Sequence, residues 1–242
     1  MEKTALYFKN LSEIVLKSSY ISYDDTKGQK IVNTINPHSF CASLEDPEFR
    51  RSLLESNILT ADGIGIVYGI KLLFNKKPKR ITGAEIHETL LRNANKKNLN
   101  VFYLGSTTQT IKKILQKIKI EYPNIKVDGL SPPFKNELNQ KEDSGIIQKI
   151  NNFKTDILFI GMTAPKQEKW AYKNKTKIDA KYICSIGAVF DFYAGNVNRA
   201  PRLIRKIGLE WLHRSINSKR LAKRNFLSNP KFIYHLFKLK FQ

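Results

Sequence analysis

The chain has 242 residues and a formal net charge of +21, from 42 Lys and Arg against 21 Asp and Glu. Hydrophobic residues make up 41 % of it, which excludes a disordered or low-complexity chain and allows a sizeable core. No apolar run approaches the roughly 20 residues of a membrane span, and the N-terminus lacks a signal-peptide pattern. The two cysteines, Cys41 and Cys184, are far apart, so we expect a reducing, cytoplasmic environment.

Short β-type runs alternate with amphipathic stretches through most of the chain. The predicted strands are 30–36, 100–104, 125–127, 156–160 and 181–186. The predicted helices are 45–56, 83–95, 107–121, 144–153 and 166–175. Because short strands separated by helices indicate crossover units, we predict an α/β, Rossmann-like, mostly parallel sheet flanked by helices.

Several of the predicted strands run directly into glycine, namely Gly105, Gly161 and Gly187. In open parallel sheets, ligands bind at the carboxyl ends of the strands, where helix N-termini direct amide groups toward anions. The sequence therefore predicts a nucleotide-binding site at this edge of the sheet.

A second glycine pattern, Gly63-x-Gly65-x-x-x-Gly69, invites comparison with the dinucleotide-binding turn of nicotinamide-dependent oxidoreductases. Asp62 precedes the first glycine, however, and a carboxylate there would repel a bound pyrophosphate. The segment 57–60 is also short and unconvincing as a preceding strand. An acid at the mouth of such a turn suits a general base, although a plain Asp-Gly turn is the commoner case.

Polar residues also cluster at other predicted element ends. Thr34 and Asn36 alternate at the end of the first strand, just before Pro37. Gln167 and Glu168 fall in the first turn of a predicted helix, where free amide groups face the ligand edge of the sheet. These side chains are therefore candidates for contact with a ligand.

A further candidate is Arg80, which precedes a predicted helix start. Thr82 and Glu85 have the spacing of a capping box, which accounts for them structurally. The Arg80 guanidinium beside that box has the geometry to bind a diphosphate through two hydrogen bonds.

The positive charge is concentrated at the C-terminus. Residues 199–242 contain 12 Lys and Arg and a single acid, Glu210. Apolar residues at helical spacing predict one helix face over 204–216, and a second set follows Pro230. We predict an α/β catalytic body over 1–198 and a basic amphipathic helical appendage over 199–242.

Three interpretations of this appendage stay open: a solvated surface, a nucleic-acid-binding segment, and a membrane-surface segment. Clustered cations neutralise phosphates, but no known nucleic-acid-binding motif accompanies them here. Aromatic and apolar residues interleaved with cations favour an anionic membrane surface, where each Lys or Arg contributes ~1 kcal/mol. The apolar face could also pack on the body or on a second copy of the chain, as in a homo-oligomer.

Taken together, the motifs resemble the WecG/TagA/CpsF glycosyltransferase family over about residues 30–225. The matching segments are TINP (34–37), DGIGIV (62–67), RITGAEI (80–86), VFYLGS (101–106), GMTAPKQEKW (161–170), GAVFDFYAGNVNRAP (187–201) and GLEWLHRSINSKRLAKR (208–224).

The resemblance implies an inverting, metal-independent transfer of a sugar from a UDP-sugar to a polyprenyl-diphosphate-linked sugar, in the synthesis of teichoic acid, an enterobacterial-type antigen, capsule or exopolysaccharide. It implies no cofactor and no nucleic-acid partner. The residue types agree, because the sequence has no Asp-x-Asp motif and its four histidines lack metal-ligand spacing. The donor would carry N-acetylmannosamine or a related hexose, and a neutral sugar is favoured because no extra cationic site for a uronate is evident.

The resemblance also implies roles for individual residues. The catalytic residues would be Asp62 as general base, with Thr34 and Gln167. Substrate-binding residues would be Asn36, Arg80, Gly83, Gly105, Gly187, Glu168 and Arg199. The lipid diphosphate and the membrane would be met by Arg214, Arg220 and Arg224. The protein is then expected in the cytoplasm, peripherally associated with the inner face of the plasma membrane.

Overall fold

The computed structural model describes residues 2–24, 26, 28–135, 137–216 and 218–241, without the side chains of Arg202, Lys206 and Arg214. Within this part of the chain, six strands form one sheet in the order β2-β1-β6-β5-β3-β4. The strands are β1 (Lys30–Ile35), β2 (Ile58–Ala61), β3 (Asn100–Gly105), β4 (Lys126–Leu130), β5 (Ile157–Gly161) and β6 (Tyr182–Ser185). Every pairing is parallel, which confirms the predicted α/β sheet.

Helices flank this sheet. The described helices are α1 (Glu2–Lys17), α2 (Pro37–Glu45), α3 (Pro47–Leu54), α4 (Ile64–Phe74), α5 (Gly83–Lys97), α6 (Thr108–Glu121), α7 (Gln140–Asn152), α8 (Lys166–Asn174), α9 (Val189–Tyr193), α10 (Arg202–Lys206), α11 (Glu210–Ile216) and α12 (Lys219–Lys240). None of them is both long and apolar enough to cross a bilayer.

The sheet winds in two directions from β1. The chain passes from β1 to β2 on one side and later returns to β6 on the other side. In parallel sheets a crevice forms at the carboxyl ends of the strands where the winding reverses. Thr34 and Asn36 therefore lie at this point, and the turn that begins at Gly187 faces them from the end of β6.

Residues 58–60 of the doubted segment 57–60 do form a strand, β2, so the expectation that this segment is unconvincing as a strand was wrong. β2 pairs with β1 from Val32↔Ile58 to Ile35↔Ala61, and Leu59 is fully buried. This strand is stabilised by α1, which is distant in the sequence and packs over β2. The Ser18 hydroxyl, just after α1, accepts a hydrogen bond from the Leu59 amide at 3.0 Å.

The predicted helix 45–56 is also corrected, because α2 and α3 meet at Asp46. This residue ends α2, and its side chain accepts a hydrogen bond from the Phe49 amide at 2.9 Å, which caps α3. Pro47 explains the break, since proline has no amide hydrogen and restricts the residue before it.

The appendage differs from the predicted pattern in one place. The helix face expected over 204–216 is interrupted at Gly208, whose φ of +79° ends α10 before α11 begins. The second apolar set is helical, as its spacing predicts, and it belongs to α12, which continues through Pro230. Only part of the apolar set after Pro230 packs on the body: Phe232 and Leu236 are buried, whereas Phe237 is 54 % exposed.

The glycines of α4 allow this helix to pack closely. A methyl group added at Gly65 would lie 2.7 Å from Pro37 Cγ, and one added at Gly69 would lie 2.9 Å from Leu236 Cδ2. Glycine at these positions therefore brings α4 against the start of α2 and against α12.

Candidate active site

A cavity of about 1160 Å³ opens at the carboxyl edge of the sheet and reaches the appendage. The residues singled out from the sequence that line it are Thr34, Asn36, Asp62, Arg80, Gly83, Gln167, Glu168, Gly187, Arg199, Arg220 and Arg224. Gly105 does not line it: a methyl group there would lie 2.5 Å from the Gly161 carbonyl oxygen, and the following Ser106 and Thr107 line the cavity instead. The side chain of Arg214 lies outside the described residues.

Asp62 follows β2 directly, and its backbone continues the ladder with β1. Its amide donates a hydrogen bond to the Ile35 carbonyl oxygen at 2.9 Å, which holds the half-buried carboxyl side chain beside the end of β1. A methyl group added at Gly63 would lie 3.0 Å from Pro37 Cδ. The turn after Asp62 is thus held tightly against the start of α2.

The two polar residues at the end of β1 have different structural roles. Thr34 pairs with Thr60 in the sheet and lines the cavity. The Oδ1 atom of Asn36 accepts a hydrogen bond from the Ser39 amide at 2.9 Å and so caps α2. Because this oxygen is used structurally, the Asn36 amide group is the part suited to donate to a ligand.

Arg80 is brought next to Asp62 by the sheet. It forms a parallel bridge with Ala61, and the Ile81 amide donates to the Ala61 carbonyl oxygen at 3.1 Å. Arg80 Nη2 donates to the Arg205 carbonyl oxygen at 2.9 Å. A carbonyl is neutral, so this bond leaves the positive charge of the guanidinium at the cavity.

The N-terminus of α5 also meets the cavity, but its capping groups are occupied. The Thr82 amide donates to Glu85 Oε2 at 2.7 Å, and the Glu85 amide donates to Thr82 Oγ1 at 3.3 Å. This capping box was predicted, and it is confirmed. Gly83 is buried where a methyl group would lie 3.3 Å from the Ile186 carbonyl oxygen.

Gln167 and Glu168 form a buried pair in the first turn of α8. Gln167 Nε2 donates to Glu168 Oε1 at 2.9 Å, and the two residues are only 4 % and 2 % exposed. Burial raises the pKa of the Glu168 carboxyl to about 7, against a smaller opposing effect of the Gln167 amide.

Gly187 completes this side of the site. Its φ is +55°, and an added methyl group would lie 3.5 Å from Gln167 Nε2. Both the backbone conformation and the neighbouring amide therefore favour glycine here.

On the appendage side, Arg199 is paired with Glu210, the acid of this segment. Arg199 Nε lies 3.2 Å from Glu210 Oε1, and the guanidinium lies 5.9 Å from the centre of the Phe192 ring. Arg220 is exposed at the cavity, and Arg224 Nε donates to Asn225 Oδ1 at 3.4 Å. The cavity thus receives cationic groups from both the body and α12.

Sequence reasoning missed His38 as a cavity residue. Its Nδ1 lies 2.8 Å from Ser228 Oγ on α12, and it lines the cavity near Arg224. Burial, with a smaller contribution from the charge of Arg224, lowers the pKa of His38 to about 4, so it is neutral at pH 7. Its position directly after Pro37 was the available signal. Phe134 and Trp211 were also missed, and both line the cavity.

No group of three or more His, Cys, Asp or Glu side chains in the described chain is arranged to hold a metal ion.

Known proteins similar to this chain belong to the family that the sequence motifs resemble. A model of the glycosyl transferase WecG/TagA/CpsF family matches residues 9–242. An N-acetylglucosaminyldiphosphoundecaprenol N-acetyl-beta-D-mannosaminyltransferase of Bacillus subtilis is 32 % identical over 216 residues, covering 89 % of this chain and 82 % of the relative. Proteins of the same name in Bacillus spizizenii and Staphylococcus aureus are each 28 % identical, covering 92 % and 86 % of this chain and 83 % and 79 % of their own lengths.

Proposed function

Because the chain belongs to the WecG/TagA/CpsF glycosyltransferase family, we propose that it transfers a sugar from a UDP-sugar to a polyprenyl-diphosphate-linked sugar in cell-surface polysaccharide synthesis. The observation that carries the proposal is the meeting of Asp62, Arg80 and Gln167 in one large cavity at the switch point of the sheet. The names of the relatives support an N-acetylglucosaminyl-diphosphate lipid as acceptor and N-acetylmannosamine as the transferred sugar.

Asp62 acts as the general base. It takes the proton of the acceptor hydroxyl as that oxygen bonds to the anomeric carbon of the donor. The bond between this carbon and the diphosphate oxygen breaks on the opposite face, so UDP leaves and the configuration inverts. General-base assistance of this kind is worth roughly 10²–10⁴-fold in rate.

Arg80 stabilises the leaving group. Negative charge develops on the diphosphate as the sugar departs, and the guanidinium charge at the cavity favours that transition state. This electrostatic role supplies the function that a divalent ion has in other glycosyltransferases, and the proposed reaction is therefore metal-independent.

The remaining polar residues orient the two sugars. Thr34, the Asn36 amide group and Gln167 line the same cavity and offer hydrogen bonds from different walls. Holding hydroxyl, base and leaving group in a fixed arrangement accelerates the reaction by removing the entropy cost of bringing them together.

The appendage meets the lipid carrier and the membrane. Arg220 and Arg224, with Arg214 as a further candidate, bind the acceptor diphosphate from residues 199–242, while 1–198 form the catalytic body. The apolar side chains of Ile233 and Phe237 are 52 % and 54 % exposed on α12. Beside these cations they suit the inner face of the plasma membrane, where the protein is peripherally bound.

The direct test offers a panel of UDP-sugars with a short-chain N-acetylglucosaminyl-diphosphate lipid, with and without excess chelator. We expect transfer from UDP-N-acetylmannosamine, with UDP release, at the same rate in both conditions. A strict requirement for added metal contradicts the electrostatic role given to Arg80.

The net charge of +21 favours nucleic-acid binding as the second candidate function. A salt-dependent gel shift with duplex and single-stranded probes, together with no transfer from any UDP-sugar, would support it over glycosyl transfer.

A further inference from the structure

Two buried oxygens, on adjacent residues of the cavity wall, have no hydrogen-bond partner in the part of the chain that the structure describes. Glu168 Oε1 accepts a hydrogen bond from Gln167 Nε2, but Glu168 Oε2 and Gln167 Oε1 have no hydrogen-bond partner among the described residues. Buried polar atoms are almost always hydrogen-bonded in folded proteins. Since both residues line the cavity, a bound ligand is the natural source of the missing donors.

The Glu168 contact also decides which end of the Gln167 side chain meets that ligand. A carboxamide has a donor end and an acceptor end of almost equal size, and its hydrogen bonds choose between them. Because the NH₂ group donates to the carboxyl of Glu168, the carbonyl oxygen is the end of the Gln167 side chain that is left for a ligand in the cavity.

We propose that Glu168 is a positioning residue, whose carboxylate fixes the Gln167 side chain so that its carbonyl oxygen accepts a hydrogen bond from a hydroxyl or amide N–H of the bound sugar. This inference rests on the proposed function, because it names what the Gln167 wall of the same cavity recognises.

The orientation depends on the protonation of Glu168. The ionised carboxylate only accepts hydrogen bonds, so it holds the NH₂ end of Gln167 through a charge-assisted bond. The protonated acid can donate instead to the Gln167 carbonyl oxygen, which allows the amide to turn its NH₂ group into the cavity. Since the pKa of Glu168 is about 7, both forms are present near neutral pH.

Several other charged groups packed around α8 form ion pairs with one another, and Lys166 in its first turn donates to the Lys135 carbonyl oxygen. The ion pairs on its exposed sides are Lys169–Asp46 (3.2 Å), Lys169–Glu48 (2.8 Å), Lys175–Glu55 (2.9 Å), Arg51–Glu55 (2.9 Å) and Lys173–Asp143 (3.9 Å). From the sheet, Lys30 stands at the opposite end of β1, and burial raises the pKa of the Cys184 thiol on β6. Asp62 and Arg80 are among the charged groups that line the same cavity.

The test measures kcat/KM against pH from 6 to 8.5 for the wild type, Glu168→Gln, Gln167→Ala and the double variant. We expect a rise through about pH 7 in the wild type that Glu168→Gln lacks. At pH 8, Glu168→Gln should lower kcat/KM about tenfold, the scale of one lost orienting hydrogen bond. In the Gln167→Ala background the same change should have no further effect, because the residue through which it acts is gone.

Equal losses from Glu168→Gln in both backgrounds, or an unchanged ionisation near pH 7 in that variant, would overturn the proposal. Thermal unfolding and circular dichroism establish that the variants fold. If Glu168→Gln does not fold, Glu168→Asp is used in its place, because it keeps a carboxylate. In Glu168→Asp, kcat/KM must still change with pH as a carboxylate ionises, and this change must be absent when Gln167 is also replaced by Ala. A wild-type protein that transfers no sugar is a separate result, which refutes the proposed function itself.

Discussion

Arg80 Nη2 donates a hydrogen bond to the carbonyl oxygen of Arg205 at 2.9 Å, so a single guanidinium joins the cavity at the carboxyl edge of the sheet to α10. Arg80 is half-buried and continues the sheet beside Ala61, whereas Arg205 belongs to the basic appendage. A guanidinium has five N–H donors, so this bond leaves others for a diphosphate. The position of the appendage and the charge of the cavity are therefore linked through one residue.

Replacing Arg80 by Lys should affect both properties. Lysine keeps the charge but lacks the fork of donors needed to bind a diphosphate and the Arg205 carbonyl together. We expect kcat/KM to fall at least about tenfold, and amide hydrogen exchange to accelerate over 202–206. Lys79→Ala, a change at the exposed neighbouring residue, is the matched control and should alter neither. Wild-type activity and exchange in Arg80→Lys would contradict this link.

The sequence predicted the sheet well where burial is continuous. β5 is an unbroken apolar run because both of its faces are covered, and Ile157, Leu158, Phe159 and Ile160 are fully buried. β2 was doubted because it has only four residues, and its stability comes from α1, far away in the sequence.

The site was predictable only where its residues follow strands or belong to family motifs. Asp62, Arg80 and Gln167 have such local signals. The contact between His38 and Ser228 joins residues 190 positions apart, and no local pattern reports a pairing at that separation. The requirement for glycine at position 208 was likewise hidden in part, since an added methyl group there would lie 2.8 Å from Ile64, far away in the sequence.

Gly65 and Gly145 should respond oppositely to alanine. A methyl group at Gly65 would press on the rigid ring of Pro37 at 2.7 Å, so Gly65→Ala should destabilise the fold by roughly 1–3 kcal/mol. Gly145 lies inside α7 with no atom within 4 Å of an added methyl group, so Gly145→Ala should stabilise it by about 0.5–1 kcal/mol. Denaturant unfolding of both variants measures the difference. A stabilised Gly65→Ala would refute the packing account of this glycine.

The raised pKa of Glu168 should make stability depend on pH. Its folded-state pKa of about 7 exceeds the ordinary value of 4.5, so the folded protein holds a proton that the unfolded chain has lost. Its contribution is fully present below pH 4.5 and is lost as the pH rises through 7, an effect on the order of 3 kcal/mol.

Glu168→Gln lacks this ionisation. Its free energy of unfolding, relative to that of the wild type, should therefore increase between pH 5 and pH 8. Chemical denaturation at the two pH values measures the change, and a constant difference would mean that Glu168 is ionised throughout this range.

The exposed apolar side chains of α12 should determine membrane binding. We expect Ile233→Ser with Phe237→Ser to reduce co-sedimentation with phosphatidylglycerol vesicles at least about tenfold, because two partly inserted side chains are lost. Ile120→Ser on α6, where the side chain is 81 % exposed, is the control and should bind normally. Point substitutions are preferable to deletion of the appendage, which would also remove the buried Phe232 and Leu236 from the core. Equal binding by all three proteins would contradict the role of α12.

The most direct measurement is the turnover of Asp62→Asn with a UDP-sugar and the lipid-linked acceptor, alongside its affinity for UDP. Asparagine preserves the shape of the side chain but cannot take the acceptor proton. We expect turnover to fall at least about 100-fold while the affinity for UDP changes little. Near-normal turnover in a folded Asp62→Asn protein would contradict the assignment of Asp62 as the base, and with it the proposed mechanism.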